Sequence, residues 1–394
     1  MVNRHASVFV DESVLDLNYV PNTLIHREEE LRLLTTLFDF IVSTPFEMTQ
    51  RAIIVGDVGT GKTALAQRFG LNLIQEGIKR RLKVHYLHVN CRELKGSLFM
   101  VLRRVVKSLR PEFPERGYAA NELLEILVQI LDEENVQLLL CLDEVDALIE
   151  REGSDSLYYL TRIQERHPDA PRRLSLLVIT REREVFKKLD RSTLSSLQRN
   201  IIQMPNYTRN QLSDIILNRV GMAFRENTVP LDIVDFISEL ASFEHGDARY
   251  AIDLIWRSGK YADVSYSNEV LPEHVRKAAA TLFTVLRETE VEQLSSHEKL
   301  VLLSIARFFL HNPVTNATTG EIEHSYKIVC EEQGEKPRGH TQFWKYLNRL
   351  KNIDAVNIRL NASSEGRTHL ISLTKIPAKD LEREVVRIID QEPK

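Results

Sequence analysis

Gly56, Gly59, Gly61, Lys62 and Thr63 satisfy the spacing G-x-x-x-x-G-K-[ST] within the stretch GDVGTGKT. Glycine allows tight turns and leaves neighbouring amides uncovered. The run Gly56, Asp57, Val58, Gly59, Thr60, Gly61, Lys62, Thr63, Ala64 can therefore wrap a polyphosphate in backbone N–H donors. Lys62 would reach the terminal phosphates, and Thr63 would offer its hydroxyl to a magnesium ion. Further along, VQLLLCLDEVDALI is an apolar run ending in Asp143, Glu144 and Asp146. Asp143 is suited to hold Mg2+ through water, and Glu144 to polarise a water against a γ-phosphate. Two adjacent acids favour an ATPase with its own base over a GTPase, which positions water with glutamine. The expected ligands are ATP or ADP with Mg2+.

Such groups work only if a strand and a helix hold the loop between them. AIIV, before the glycines, reads as a buried parallel strand, and TALAQRFGLNLIQ, after them, repeats apolar residues at helical spacing. The phosphates would then meet a helix N-terminus, where free amides and the helix dipole favour anions. LKVHYLHVN (82–90) and RLSLLVIT (173–180) read as further strands, separated by helical pattern. This alternation implies an α/β fold, a doubly wound parallel sheet occupying residues 1–205. Acids ending a strand fall at the carboxyl edge of the sheet, where ligands bind in such folds.

The chain has 394 residues, enough for two or three domains, with 43% hydrophobic and 27% charged residues, which is ordinary for a globular protein. A net charge of −4 announces no nucleic-acid partner globally, so any basic surface must be local. No run reaches the length needed to span a bilayer, and MVNRHASVFVDESVL has no apolar signal core, so a cytoplasmic protein without a membrane partner is expected. Cys91, Cys141 and Cys330 are isolated and read as buried reduced thiols. His85 and His88 are an odd number apart on a strand and point to opposite faces, which argues against zinc.

From 206 to 290 apolar residues recur every three or four positions and imply an all-helical segment. Residues 291–394 read as a winged helix-turn-helix. Helices are expected at 295–312, 318–334 and 340–352, with caps at Ser295 or Ser296 and at Thr318 or Thr319. A hairpin follows at 355–373, turning at Ser-Ser-Glu-Gly. Between Arg338 and Lys375 stand seven basic residues (Arg338, Lys345, Arg349, Lys351, Arg359, Arg367, Lys375) against Asp354 and Glu365, a local footprint for double-stranded DNA. Thr341, Gln342 and Lys345, early on the third helix, are the base-edge candidates; Arg338 belongs to the same basic surface and Arg349 is a phosphate contact. Arg367, beside Gly366, could enter the minor groove. A second basic zone lies at IKRRLK (78–83) and LRRVVKSLR (102–110), whereas GYAANELLEILVQIL (117–131) reads as a core helix.

GDVGTGKT, CLDEVD, YVPNTLIHREEELRLL (19–34), PNYTRNQL (205–212) and HGDARYAIDLI (245–255) together resemble the archaeal replication initiators related to the origin recognition complex and its cell-division-control partner. The resemblance runs from about residue 8 to the end and is carried most specifically by HREEEL and HGDAR. It implies an AAA+ P-loop base, a helical lid at 206–290 and a winged-helix domain. It also implies that Arg249 is the lid arginine that approaches the γ-phosphate, that Val20, His26 and Arg27 pack around the adenine, and that Arg103 or Arg104 touches duplex DNA. The sequence departs from the family where a sheet strand usually ends in a water-orienting asparagine: VITREREVF places Thr180 and Arg181 there, and LDRSTLSSLQR shifts Arg191 by about one position. ATP binding with slow hydrolysis follows. The implied function is a nucleoid-associated, ATP-dependent initiator that binds origin DNA and helps recruit the replicative helicase with related initiator subunits; the alternative is a paralogue regulating transcription at promoters.

Overall fold

The computed structural model describes residues 6–114, 117–163, 171–197, 200–282, 288–363, 366–374 and 376–391. The chain divides into two compact units, Asn18–Gln211 with His245–Ala248, and Met1–Leu17 with Leu212–Glu244 and Arg249–Lys394.

The first unit is built on β1 (Arg51–Gly56), β2 (Val84–Asn90), β3 (Gln137–Asp143), β4 (Leu174–Thr180) and β5 (Ile201–Met204), in the order β2-β3-β4-β1-β5 and parallel throughout. Every residue of β3 is buried. Its side chains alternate, Leu138, Leu140 and Leu142 entering the core on one face and Leu139 and Cys141 the core on the other. Helices on both faces explain why this strand reads as an unbroken apolar run. One layer is supplied by Leu98–Leu109 and Ala120–Glu133, the other by Lys62–Lys79 and Glu28–Phe38. The registers Asn90↔Asp143, Val55↔Thr180 and Gly56↔Met204 align the carboxyl ends of all five strands at one edge. β5, only four residues long, is the strand the sequence pattern does not single out.

In the second unit the helices Arg209–Ala223, Leu231–Phe243, Ala248–Val264 and Pro272–Leu282 form the helical segment. The stretch ending at Leu17 packs with these helices rather than with the sheet: Phe9 bridges to Phe224, and Ser7 Oγ donates to Asp263 Oδ2 at 2.6 Å. Gly259 is small because Phe9 lies against it; an added Cβ would stand 2.4 Å from that ring.

The terminal part contains helices Ser296–His311, Thr319–Glu332 and His340–Asn352, with β6 (Ala317–Thr318), β7 (Asn357–Ser363) and β8 (Gly366–Ser372) in the order β6-β8-β7. Ser295 and Thr318 are the caps, each in a capping box with the glutamate three residues on. Ser364 and Glu365 of the expected turn, and Lys375, lie outside the described residues. A further helix, Ala378–Gln391, buries Leu381, Val385 and Ile388 on the same core. No helix among the described residues is long and apolar enough to cross a membrane.

Candidate nucleotide site and nucleic-acid interface

The glycine loop follows β1 and is closed in by its own unit. Gly59 and Gly61 adopt φ of +75° and +89°, where side chains are strained. A Cβ on Gly59 would lie 1.9 Å from Asp247 Oδ1, and one on Gly61 2.9 Å from the Tyr207 hydroxyl. The Ala248 amide donates to Gly59 O at 3.2 Å. HGDA of the lid motif and Tyr207 therefore flank a loop that leaves no room for side chains, as a backbone cradle for phosphate requires. Lys62 Nζ donates to Asp57 O at 2.6 Å. Val58 is exposed, Ala64 half-buried, and Thr60 is buried with its hydroxyl on Asp57 O at 2.8 Å.

Thr63 Oγ1 donates to Asp143 Oδ2 at 2.7 Å, and His88 Nε2 lies 3.0 Å from the same oxygen. The Glu144 amide donates to Asp143 Oδ1 at 2.8 Å. Burial raises the Asp143 carboxyl, but the hydrogen bonds from His88 and Thr63 outweigh it and hold the group below its ordinary value. A hydroxyl and an ionised carboxylate meeting beside a phosphate loop are hard oxygen donors that fit Mg2+. In the sequence His88 stands out only as half of a rejected zinc pair; the pairing of β2 with β3 brings it to Asp143.

Glu144 sits at φ +49°, and its Oε1 is 3.2 Å from Arg181 Nη2. Thr180 ends β4 buried, its hydroxyl donating to Asp146 Oδ1 at 2.7 Å. Cys91 is pushed up to about 12, chiefly by burial, and Cys141 is raised by burial as well, so neither thiol ionises near neutrality.

Arg27 is 2% exposed and serves as an internal brace. Its Nε donates to Thr60 O at 3.1 Å, Nη2 to Pro205 O at 2.6 Å, Nη1 meets Glu30 at 3.3 Å, and the guanidinium lies 4.0 Å from the Tyr207 ring centroid. Arg68, which the sequence pattern hides on a helix, holds the segment around Val20 through Pro21 O at 2.7 Å and Val20 O at 3.0 Å. His26 is half-buried at φ +63°, directly before Arg27. Arg249 is an exposed residue of the second unit, next in sequence to Ala248.

On the helix His340–Asn352, Phe343, Leu347 and Leu350 enter the core, which turns Thr341, Gln342, Lys345 and Arg349 to solvent. Arg338 is also exposed, with Nε donating to His297 Nε2 at 3.0 Å. Arg359 leaves the basic face: Nη1 pairs with the buried Glu239 of the helix Leu231–Phe243 at 2.6 Å, because strand alternation turns it inward there. The side chain of Arg367 lies outside the described residues. In the first unit, Leu98–Leu109 buries Val101, Leu102, Val105 and Val106, leaving Arg103, Arg104 and Lys107 around an open hollow of about 350 Å³ with Leu94, Met100 and Ser108.

Three family models match the chain: an AAA domain over residues 49–189, the Cdc6 AAA+ ATPase-type lid domain over 213–280 and the CDC6 C-terminal winged helix domain over 289–383. The ORC1-type DNA replication protein 2 of Sulfolobus acidocaldarius is 32% identical over 380 residues, 93% of this chain and 90% of that protein. The chain belongs to the ORC1/Cdc6 family of replication initiators. Its fold is that of this family. Cdc6p from Pyrobaculum aerophilum matches with a TM-score of 0.85 at 31% identity, covering 98% of this chain and 100% of that one. The ORC1 protein of Aeropyrum pernix, solved in complex with DNA, matches at 0.65 and 30% identity over 97% of both chains. The ORC2 protein of that organism, solved as ADPNP-ADP complexes, matches at 0.64 and 25% identity over 97% of this chain and 98% of that one. The resemblance carried by HREEEL and HGDAR is thus a true one, and it extends to the AAA+ base, lid and winged helix of an ORC1/Cdc6 protein.

Proposed function

We propose that this initiator binds origin duplex DNA under control of ATP or ADP with Mg2+, and helps bring the replicative helicase to that DNA alongside related initiator subunits. The observation that carries the reading is the solvent-facing side of the helix His340–Asn352, with Thr341, Gln342, Lys345 and Arg349, in the same chain as the Thr63–Asp143 pair. A relative of like length solved with DNA and another solved with nucleotides support it. The division into a base (1–205), a lid (206–290) and a winged helix (291–394) belongs to this reading, as does a cytoplasmic, nucleoid-associated location.

In this mechanism the amides of Gly59 to Thr63 would receive the phosphates, and Lys62 would offer its ammonium to the terminal phosphate oxygens. Mg2+, when bound, would neutralise phosphate charge; Thr63 and Asp143 would hold it. Val20 and His26 border the base, while Arg27 braces the loop. Glu144 is the base for water, yet it is paired to Arg181, and the Thr180 hydroxyl is spent on Asp146. Turnover is therefore slow, and the nucleotide acts mainly as a conformational ligand whose state the lid senses through Arg249. Arg103 and Arg104 offer a second contact to the duplex, and Arg367 one at the hairpin.

Titrating a labelled duplex with the full chain at several salt concentrations tests the reading: log affinity should fall with log salt at a slope of about −0.9 per phosphate neutralised. An affinity indifferent to salt would overturn it. Mapping bound sites across the genome separates replication starts from promoters, where a transcription regulator would sit.

A further inference from the structure

The residues leading into the helix His340–Asn352 are held by a closed network of three residues, Arg338 entering it through both its backbone amide and its side chain. The Arg338 amide donates to Tyr326 Oη at 3.3 Å, Arg338 Nε donates to His297 Nε2 at 3.0 Å, and His297 Nδ1 lies 2.8 Å from Tyr326 Oη. A guanidinium only donates, so His297 Nε2 is an unprotonated acceptor; the single ring proton sits on Nδ1 and points at Tyr326 Oη. The imidazole also stacks on Tyr346, with centroids 6.0 Å apart and 6° between planes, and Tyr326 is wholly buried. Burial and the Arg338 cation both hold His297 below the ordinary histidine value, against Glu335, whose Oε2 is 3.9 Å away. The ring is thus fixed in place and in tautomer.

We propose that His297 is a positioning residue for DNA recognition: its Nε2 anchors Arg338 through Nε, so that the two Nη groups form an oriented fork at the start of the DNA-facing helix, matched to a phosphate or a guanine edge. This rests on the reading of the second unit as a duplex binder. An unanchored arginine loses about 0.5–1.5 kcal/mol of rotamer freedom on being immobilised at an interface. Anchoring at Nε meets that cost during folding, and it leaves the nitrogens that recognise bidentate acceptors pointing outward.

The test uses the full chain, a labelled duplex and anisotropy titrations over a range of salt. His297→Phe keeps the stack on Tyr346 and removes both ring nitrogens; His297→Gln restores an acceptor near Nε2. Arg338→Ala should weaken binding about tenfold and lower the salt slope by about 0.9. His297→Phe should weaken it by about threefold to tenfold, the range set by the rotamer cost. His297→Gln should recover most of that loss, and the double variant His297→Phe/Arg338→Ala should bind no worse than Arg338→Ala alone. An equal loss from His297→Phe with and without Arg338 would overturn the proposal, since a purely structural histidine acts regardless of that arginine. No loss from His297→Phe where Arg338→Ala does weaken binding would overturn it too. Absence of salt-sensitive affinity in the unsubstituted chain would instead remove the parent reading, and this one with it.

Discussion

Replacing Arg359 by alanine should destabilise the second unit more than replacing its partner. Glu239 is 4% exposed, in the middle of the helix Leu231–Phe243. Its carboxylate is met by Arg359 Nη1 at 2.6 Å and Asn357 Nδ2 at 2.9 Å, both from β7. Without Arg359 the buried carboxylate loses its cation at 2.6 Å, and breaking a buried pair in that way costs about 3–5 kcal/mol. The Arg359 side chain is itself 29% exposed, so water can follow into the gap and the lower end of that range, about 3 kcal/mol, applies. The reverse change, Glu239→Ala, leaves a guanidinium that can turn to water and costs about 1–2 kcal/mol. For a unit of 150–250 residues each kcal/mol moves the midpoint by about 2–4 °C, so Arg359→Ala should lower the corresponding calorimetric transition by about 6–12 °C. The ordering is sharper than either number. The double change to leucine should recover much of the loss, since two apolar side chains leave no buried charge. If Glu239→Ala proves at least as costly as Arg359→Ala, the asymmetry of burial on which this reasoning depends is refuted.

Gly59→Ala should lower the affinity for labelled ADP by at least about tenfold, since left-handed backbone alone costs about 1–2 kcal/mol and the new methyl collides with Asp247; unchanged affinity would mean that the loop is not a phosphate cradle. Asp143→Ala should abolish the gain in nucleotide affinity on adding Mg2+ while leaving metal-free binding largely intact, a difference that calorimetry with and without chelator reads directly. His274 is held down to about 4, chiefly by burial, with Nδ1 accepting from the Leu271 amide at 3.1 Å. Its folded value lies below the unfolded value of about 6.5, so the unfolded chain binds a proton first. Stability is unaffected above about 6.5 and falls as pH drops from there towards 4, by about 2–3 kcal/mol at most. His274→Asn, which keeps an acceptor for Leu271, should flatten denaturation midpoints across that window.

What the sequence made legible divides by the range of the interactions involved. The strand, loop and helix around Gly56–Thr63 and the acids ending β3 are local: apolar runs, glycines and charges at fixed spacing imply them, and β1 and the helix Lys62–Lys79 fall where expected. β5 escaped because four residues carry too little periodicity to separate a strand from a loop. The helix Ala378–Gln391 carries the same kind of local signal, with Leu381, Val385 and Ile388 three or four apart, but it lies beyond the three helices and hairpin that complete a winged-helix pattern. Arg359 illustrates a different limit. A basic residue on an alternating strand looks like any other, and only Glu239, over a hundred residues earlier, turns it from a DNA-facing cation into half of a buried pair.

The same distinction bears on how this site works. His88, Arg68 and Tyr207 lie on separate elements, yet they respectively contact Asp143, the backbone at Val20 and Pro21, and the Arg27 guanidinium and Gly61. None belongs to the phosphate-loop motif: His88 arrives through strand register, Tyr207 on the stretch after β5, and Arg68 from six residues along the helix that the motif's Lys62 begins. A motif supplies the groups that meet a ligand, because their spacing along the chain is set by the ligand's own size. The groups that hold a motif rigid answer to the fold instead, and any element passing within hydrogen-bonding reach can provide them. Arg27 makes the point most clearly: its three nitrogens are committed to Thr60, Pro205 and Glu30, so its loss should loosen the cradle.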